Sequence, residues 1–458
     1  MKQLPKPPKF SIALIGPGIV LIAMGLGSGE FVLWPYLVAQ YGFGVLWGAL
    51  AGLTLQYFVS NETGRYTIAT GGSVYVGFHK LNKYLPYWFI LSTYLAFAWP
   101  GIIGSGGLIV ANLIGVEEHK YITLLMLLII GLLLTFGGKV YSNLEKIQKI
   151  FILVSMPILL IIASLLIDLE TTGEVAVGLV GKGNGYWFFP SGISILSFLG
   201  SIAYAGAGGN LVASHSFYLQ DEGIGMAKHV DSQVSLKNDT REVEKGLKFE
   251  PTKENVKSFK GFFKVSAIEQ FLSFWCIGLL SIILLSVISY VLVYPFNGEE
   301  GLDFIFFQSD GLKSEYGSIV GTFFLLVGAT FLFTTQLGIF ETTSRILSEN
   351  ILLAKPKIGE KFKRSNIFFF FLWSQIVLAM IITLLDISAP LQILLIGTFF
   401  SACSMFVMSG LVFLLNRSKL MPKEIRPGII RTFLLVLAFL FFGVFVLMTS
   451  VDLIGVRF

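Results

Sequence analysis

Of the 458 residues 54% are hydrophobic and only 13% charged, with a mean hydropathy of +0.77, whereas about a quarter of a soluble domain is charged. This excludes a soluble globular protein, and two cysteines, Cys276 and Cys403, both inside apolar runs, exclude a disulfide framework and a zinc cluster. The net charge of +5 calls for no nucleic-acid partner, because its distribution follows a membrane topology.

Apolar runs of about twenty residues, the length needed to cross a hydrocarbon core of roughly 30 Å, recur along the chain. Eleven spans are expected, near residues 10–41, 44–66, 86–114, 121–137, 143–167, 190–228, 264–294, 317–344, 366–386, 389–415 and 430–452. The basic start, Lys2 to Lys9, imitates a signal peptide. No small-residue cleavage site follows, and the apolar run continues through Phe31-Val32-Leu33-Trp34-Pro35.

With the N-terminus inside, 29 of the 33 lysines and arginines fall on the cytoplasmic side; Lys120, Lys182, Lys313 and Arg457 fall outside. Such a bias sets orientation, so the N-terminus is expected in the cytoplasm and the C-terminus outside, in the plasma membrane of a prokaryotic cell. The outer loops carry acids, Glu117, Glu118, Asp168, Glu170, Glu174, Glu299, Glu300, Asp303 and Asp310, read as solvated surface. The polar stretch 220–260 reads as a cytoplasmic loop within a single transmembrane domain. The sequons at Asn61 and Asn238 face the cytoplasm in this topology and are chance matches.

Two spans are interrupted. The first contains Met24-Gly25-Leu26-Gly27-Ser28-Gly29-Glu30; each glycine costs a helix interior roughly 1 kcal/mol relative to alanine. A break in lipid persists where the freed backbone groups line a cavity or hold a ligand. Glu30 lies far from either end of the apolar run, and an intramembrane acid is a functional-site hypothesis by default. The sixth span is broken at Tyr204-Ala205-Gly206-Ala207-Gly208-Gly209-Asn210, with Asn210 suited to cap the second half-helix. Two glycine-interrupted spans, five spans apart, point to an inverted-repeat transporter with its site at the midplane. The repeats are expected over 1–167 and 190–415, with 430–452 as an extra span. No ring-forming pore motif and no phosphate-binding glycine loop ending in Lys-Ser or Lys-Thr is found. The chain is read as a secondary transporter, not an enzyme, with no cofactor beyond H⁺ or Na⁺ as coupling ion.

Gly16-Pro17-Gly18, Gln40-Tyr41-Gly42, Leu46-Trp47 and Leu55-Gln56-Tyr57 resemble the first two spans of the Nramp family of proton-coupled divalent metal transporters. The resemblance implies an all-α, LeuT-type fold of five plus five inverted spans, with spans 1 and 6 broken and the eleventh peripheral. It is thin beyond the first hundred residues and the sixth span. The family's Asp-Pro-Gly-Asn in the first span falls on Gly27-Ser28-Gly29-Glu30, and its Met-Pro-His-Asn in the sixth on Ala207-Gly208-Gly209-Asn210. The later histidine of that helix falls on Ser214, with His215 one position on. The acidic pair tied to proton movement in the third span falls on Ala98 and Gly101.

Losing the carboxylate and the thioether removes the ligands that favour transition metals. Glycines at both breaks instead resemble the amino acid–polyamine–organocation transporters, in which backbone N–H groups at half-helix ends hold a substrate carboxylate. The expected substrate site is therefore Gly27, Ser28, Gly29, Glu30, Ala207, Gly208, Gly209 and Asn210. Glu30 is assigned to an ammonium group or the coupling proton, and His215 to a proton relay or to packing. The substrate is a small carboxylate-bearing solute or hydrated ion. The alternatives are Mg²⁺ or Mn²⁺ held by Glu30 and Asn210, and a transport-inactive receptor that kept the fold. Glu341 and Arg345, four residues apart, are expected to pair. A monomer in the lipid bilayer is expected.

Overall fold

The computed structural model describes residues 3–11, 15–137, 140–229, 247–296, 298, 301–386 and 389–453. The expectations for Asn238, Glu299, Glu300, Arg457 and the middle of the 220–260 loop lie outside the described residues. Ten helices are long and apolar enough to cross a membrane, and the pair Pro17–Ala23 and Leu26–Tyr41, bent by 47°, supplies an eleventh span. We number them span 1 (Pro17–Tyr41), 2 (Phe43–Thr70), 3 (Leu85–Ile114), 4 (His119–Phe136), 5 (Leu144–Leu166), 6 (Ile195–Asp221), 7 (Lys253–Val293), 8 (Ser318–Ala354), 9 (Arg364–Leu385), 10 (Pro390–Arg417) and 11 (Ile429–Asp452). This is an integral membrane protein.

Burial separates core from periphery. In its most apolar stretch span 6 is 89% buried and span 8 is 78% buried, whereas spans 4, 5 and 11 are each 33% buried. The outer spans turn Leu125, Leu153, Phe370 and Leu440 outward, which lipid tolerates and water does not. Span 11 packs on span 10, and span 8 lies against spans 1, 3 and 9. The eleventh span is thus peripheral, as expected. Outside the spans, helices Leu169–Gly178 and Asp303–Tyr316 and a hairpin pairing Lys182 with Trp187 cover one end. Asp168 caps the first of these, accepting from the Thr171 N–H at 2.7 Å. Helix Val74–Leu81, capped by Ser73, lies at the other, basic end.

Three features depart from the hydropathy reading. Span 7 begins at Lys253, so the polar loop is shorter than 220–260. Span 8 runs ten residues past its expected end at 344; its last turns stay buried, with Glu349 bonded to Arg364 and the Asn350 Nδ2 to the Ile346 carbonyl. Span 3, expected as one helix, is two: Leu85–Phe97 and Gly101–Ile114. Pro100 causes this, since it offers no N–H to the Ala96 carbonyl and its ring obstructs the turn. The freed Ala96 oxygen accepts from the Tyr204 hydroxyl of span 6 at 3.2 Å.

Candidate functional site

Both expected interruptions are present. In span 1 the α-helix stops at Ala23, turns at Met24-Gly25, and resumes as a π-helix over Leu26–Leu33. Gly27, Ser28, Gly29 and Glu30 therefore lie in wide helical turns just beyond the bend rather than in unwound chain. π-Turns are frequent at functional sites. In span 6 the helix Ile195–Tyr204 ends, 205–208 are non-helical, and a 3₁₀ turn at Gly209–Ser214 leads into helix His215–Asp221. Gly206, Gly208 and Gly209 have φ of +92°, +69° and +46°, a region that side-chain-bearing residues rarely adopt.

The two breaks lie directly against each other. A methyl group on Gly25 would collide with the Gly206 carbonyl, and one on Gly29 with the Tyr204 carbonyl. Gly27 is pressed in the same way against the backbone of Phe331 and Leu332 in span 8. In this conformation the glycines admit neighbouring backbone. Ser28 and Glu30 are buried, as are Ala207 to Asn210.

Glu30 bridges the breaks. Its Oε1 accepts the Gly206 N–H at 3.1 Å, while its buried Oε2 has no hydrogen-bond partner. Asn210 is turned towards span 3, donating from Nδ2 to Ser92 Oγ at 2.8 Å and Thr93 Oγ1 at 2.9 Å. Its Oδ1 is buried without a partner, and its backbone carbonyl accepts from the Tyr75 hydroxyl at 3.0 Å. Asn210 thus anchors the break to span 3 through its side chain instead of capping the following half-helix, whose N-cap position, Ser214, makes no side-chain capping bond. His215 opens that half-helix, with Nδ1 3.3 Å from the Ser60 carbonyl of span 2 and Nε2 buried without a partner.

Two residues outside the expected site hold the broken backbone together. Gln56 of span 2 donates from Nε2 to the carbonyls of Ile202 at 3.0 Å and Ala203 at 3.2 Å, and its Oε1 accepts the Gly208 N–H at 2.9 Å. Thr335 of span 8 accepts the Gly27 N–H at 2.9 Å and donates to the Ala23 carbonyl at 2.7 Å. A buried backbone group left unpaired costs several kcal/mol, so these side chains help make the buried breaks tenable. Both carry a sequence signal, a glutamine inside an otherwise apolar run and the polar triplet Thr334-Thr335-Gln336. Neither signal says which backbone is held.

No family model matches the sequence, and no curated protein does. Solved structures do match the fold. A mutant form of the manganese transporter of Eremococcus coleocola aligns with a TM-score of 0.71 at 13% identity, covering 95% of this chain and 86% of that one. MHP1, described as a nucleobase-cation-symport-1 family transporter, closed with bromovinylhydantoin bound, aligns at 0.56 and 13% identity over 97% and 92%. MhsT in complex with L-phenylalanine aligns at 0.51 and 15% over 97% and 99%. The fold is the LeuT type.

Within this LeuT-type fold, the positions where the Nramp resemblance would put an acidic pair, Ala98 and Gly101, flank the proline interruption of span 3. Gly101 lies against the backbone of Leu394 in span 10, leaving no room there for a carboxylate side chain. Among the described residues no three of His, Cys, Asp and Glu converge to hold a metal ion. At the breaks a cation would meet one carboxylate, Glu30, and Asn210 would offer only Oδ1. Glu341 and Arg345 are 3.5 Å apart; Arg345 makes its shorter contact, 2.7 Å, with Asp221 at the end of span 6.

Proposed function

We propose that this protein is an Nramp-related secondary active transporter that works by alternating access around the breaks of spans 1 and 6. Its cargo on this reading is a small carboxylate-bearing solute, with Glu30 carrying the coupling proton. The observation that carries the proposal is the placing of Glu30: one oxygen is fixed on the Gly206 amide and the other is buried and unpartnered. A buried polar group without a partner calls for an explanation, and a proton or a solute that comes and goes supplies one. Coupling follows from charge. An ionised Glu30 repels an incoming carboxylate, and a protonated one accepts it, so proton and solute enter together.

The two breaks touch in this conformation, so a solute reaches them only when spans 1 and 6 part. Breaking the Glu30–Gly206 bond is part of that opening. The Gly206 amide so released is a free backbone donor, suited to a carboxylate.

A second reading takes its support from the manganese transporter of like fold: Mn²⁺ or Mg²⁺ crosses, held by Glu30, the Asn210 oxygen and backbone carbonyls. A single carboxylate suits a largely hydrated ion better than a dehydrated transition metal. Uptake into proteoliposomes separates the readings. With amino acids, Mn²⁺ and Mg²⁺ offered in turn under an inward proton gradient, we expect wild type to accumulate an amino acid, and Glu30→Gln, which can neither take up nor release the proton, to lose the gradient-driven accumulation. Metal uptake that vanishes in Glu30→Gln would establish the second reading. Vesicles that take up no solute, with a protein that no solute stabilises, would overturn both in favour of a transport-inactive receptor.

A further inference from the structure

At the basic end, a groove of about 710 Å³ runs between span 2, the start of span 7 and the start of span 11. Five cations line it: Arg65, Lys260, Lys264, Arg426 and Arg431. Among the described residues the nearby anions are Glu424 on the rim and Glu62 behind the wall, the latter bound to Arg65 at 2.5 Å and to Arg431 at 3.2 Å. Three positive charges are left in excess. Lys260 and Lys264, one turn apart and exposed, form no salt bridge among the described residues. The remaining wall is apolar. Phe263 is held between two guanidinium groups, 4.1 Å from that of Arg65 and 4.7 Å from that of Arg431.

The groove does not end at the charges. Its floor continues to Phe271, 41% exposed, and to Ile429 and Ile430, 85% and 71% exposed, where the apolar stretches of spans 7 and 11 begin. A ligand here would have an anionic head among lysines and an apolar body along lipid-facing side chains. We propose that this groove is a binding site for an anionic phospholipid of the inner leaflet, its phosphate at Lys260, Lys264 and Arg426 and its acyl chains along Phe271, Ile429 and Ile430. A soluble anion would leave the apolar half of the groove uncovered, and a zwitterionic lipid would leave the charge excess unanswered. Basic pockets between spans on the cytoplasmic side are suited to such headgroups. The site lies away from the breaks and does not depend on what the protein carries.

The test is thermal unfolding of the full chain in detergent, titrated with dioleoylphosphatidylglycerol, dioleoylphosphatidylcholine or glycerol 3-phosphate. Phosphatidylglycerol should raise the unfolding temperature saturably, and the other two should not. Lys260→Gln/Lys264→Gln should leave the lipid-free unfolding temperature in place and move the titration midpoint about 25-fold, roughly fivefold per lysine beside a lipid surface. Lys357→Gln/Lys361→Gln, on a short exposed helix elsewhere on the basic end, should leave the midpoint unchanged. An equal response to phosphatidylcholine would overturn the proposal, as would a response to glycerol 3-phosphate, an unshifted midpoint in the first variant, or no stabilisation by any lipid.

Discussion

Gly25 and Gly29 stand one turn apart on span 1, and both face carbonyl oxygens of span 6. Small residues let helix backbones approach in lipid, where no hydrophobic drive brings helices together. Gly29→Ala should therefore lower the stability of this closed form by about 1–3 kcal/mol, the usual cost of overpacking, seen as a lower unfolding temperature in detergent. Ser28→Ala, between the two, removes atoms and adds no collision there, and should be close to neutral. Glu30 was conspicuous in the sequence because an acid deep in an apolar run is anomalous whatever surrounds it. Gln56 was less so, since a lone polar residue in a membrane helix commonly bonds its own backbone. Only the fold reveals that its partners lie in span 6.

At the scale of the element, hydropathy located all eleven spans because each must cover the same thickness of lipid. It misplaced ends and breaks where tertiary contacts decide them. Span 8 outlasts its apolar run, and span 3 yields at Pro100, whose effect depends on Tyr204 being at hand to take the Ala96 carbonyl. The adjacent Thr334 and Thr335 show what distinguishes a structural hydroxyl from a local one. Thr334 bonds within its own helix, to the carbonyls of Thr330 and Phe331; Thr335 bonds Ala23 and Gly27 across to span 1. Thr334→Val should cost little. Thr335→Val is nearly isosteric, yet it orphans a buried N–H and a buried carbonyl at the bend, at about 1–3 kcal/mol each. Equal unfolding temperatures for the two variants would mean that the bend of span 1 is held by something other than this hydroxyl.

At the scale of the whole molecule, one buried carboxylate at the basic end ties span 2 to the last two spans. Glu62, in span 2, accepts from Arg65 at 2.5 and 2.7 Å, from Asn416 of span 10 at 3.0 Å and from Arg431 of span 11 at 3.2 Å. Arg65 also donates to the Ile425 carbonyl at 2.6 Å, tying in the segment between spans 10 and 11. One charge thus holds span 2 to spans 10 and 11, which are far from it in sequence. Removing one partner of such a cluster is far costlier than removing the cluster, because the charge left behind stays buried. Glu62→Gln keeps the shape and takes away the charge, leaving Arg65 buried without its counter-ion, and should destabilise the protein by about 3–5 kcal/mol. Arg431→Gln, on the more exposed side of the cluster, should cost roughly 1 kcal/mol or less. The double variant Glu62→Gln/Arg65→Gln should recover part of the loss suffered by Glu62→Gln alone. If it unfolds lower still, Arg65 contributes through its packing on Phe263 and its bond to Ile425, not through Glu62.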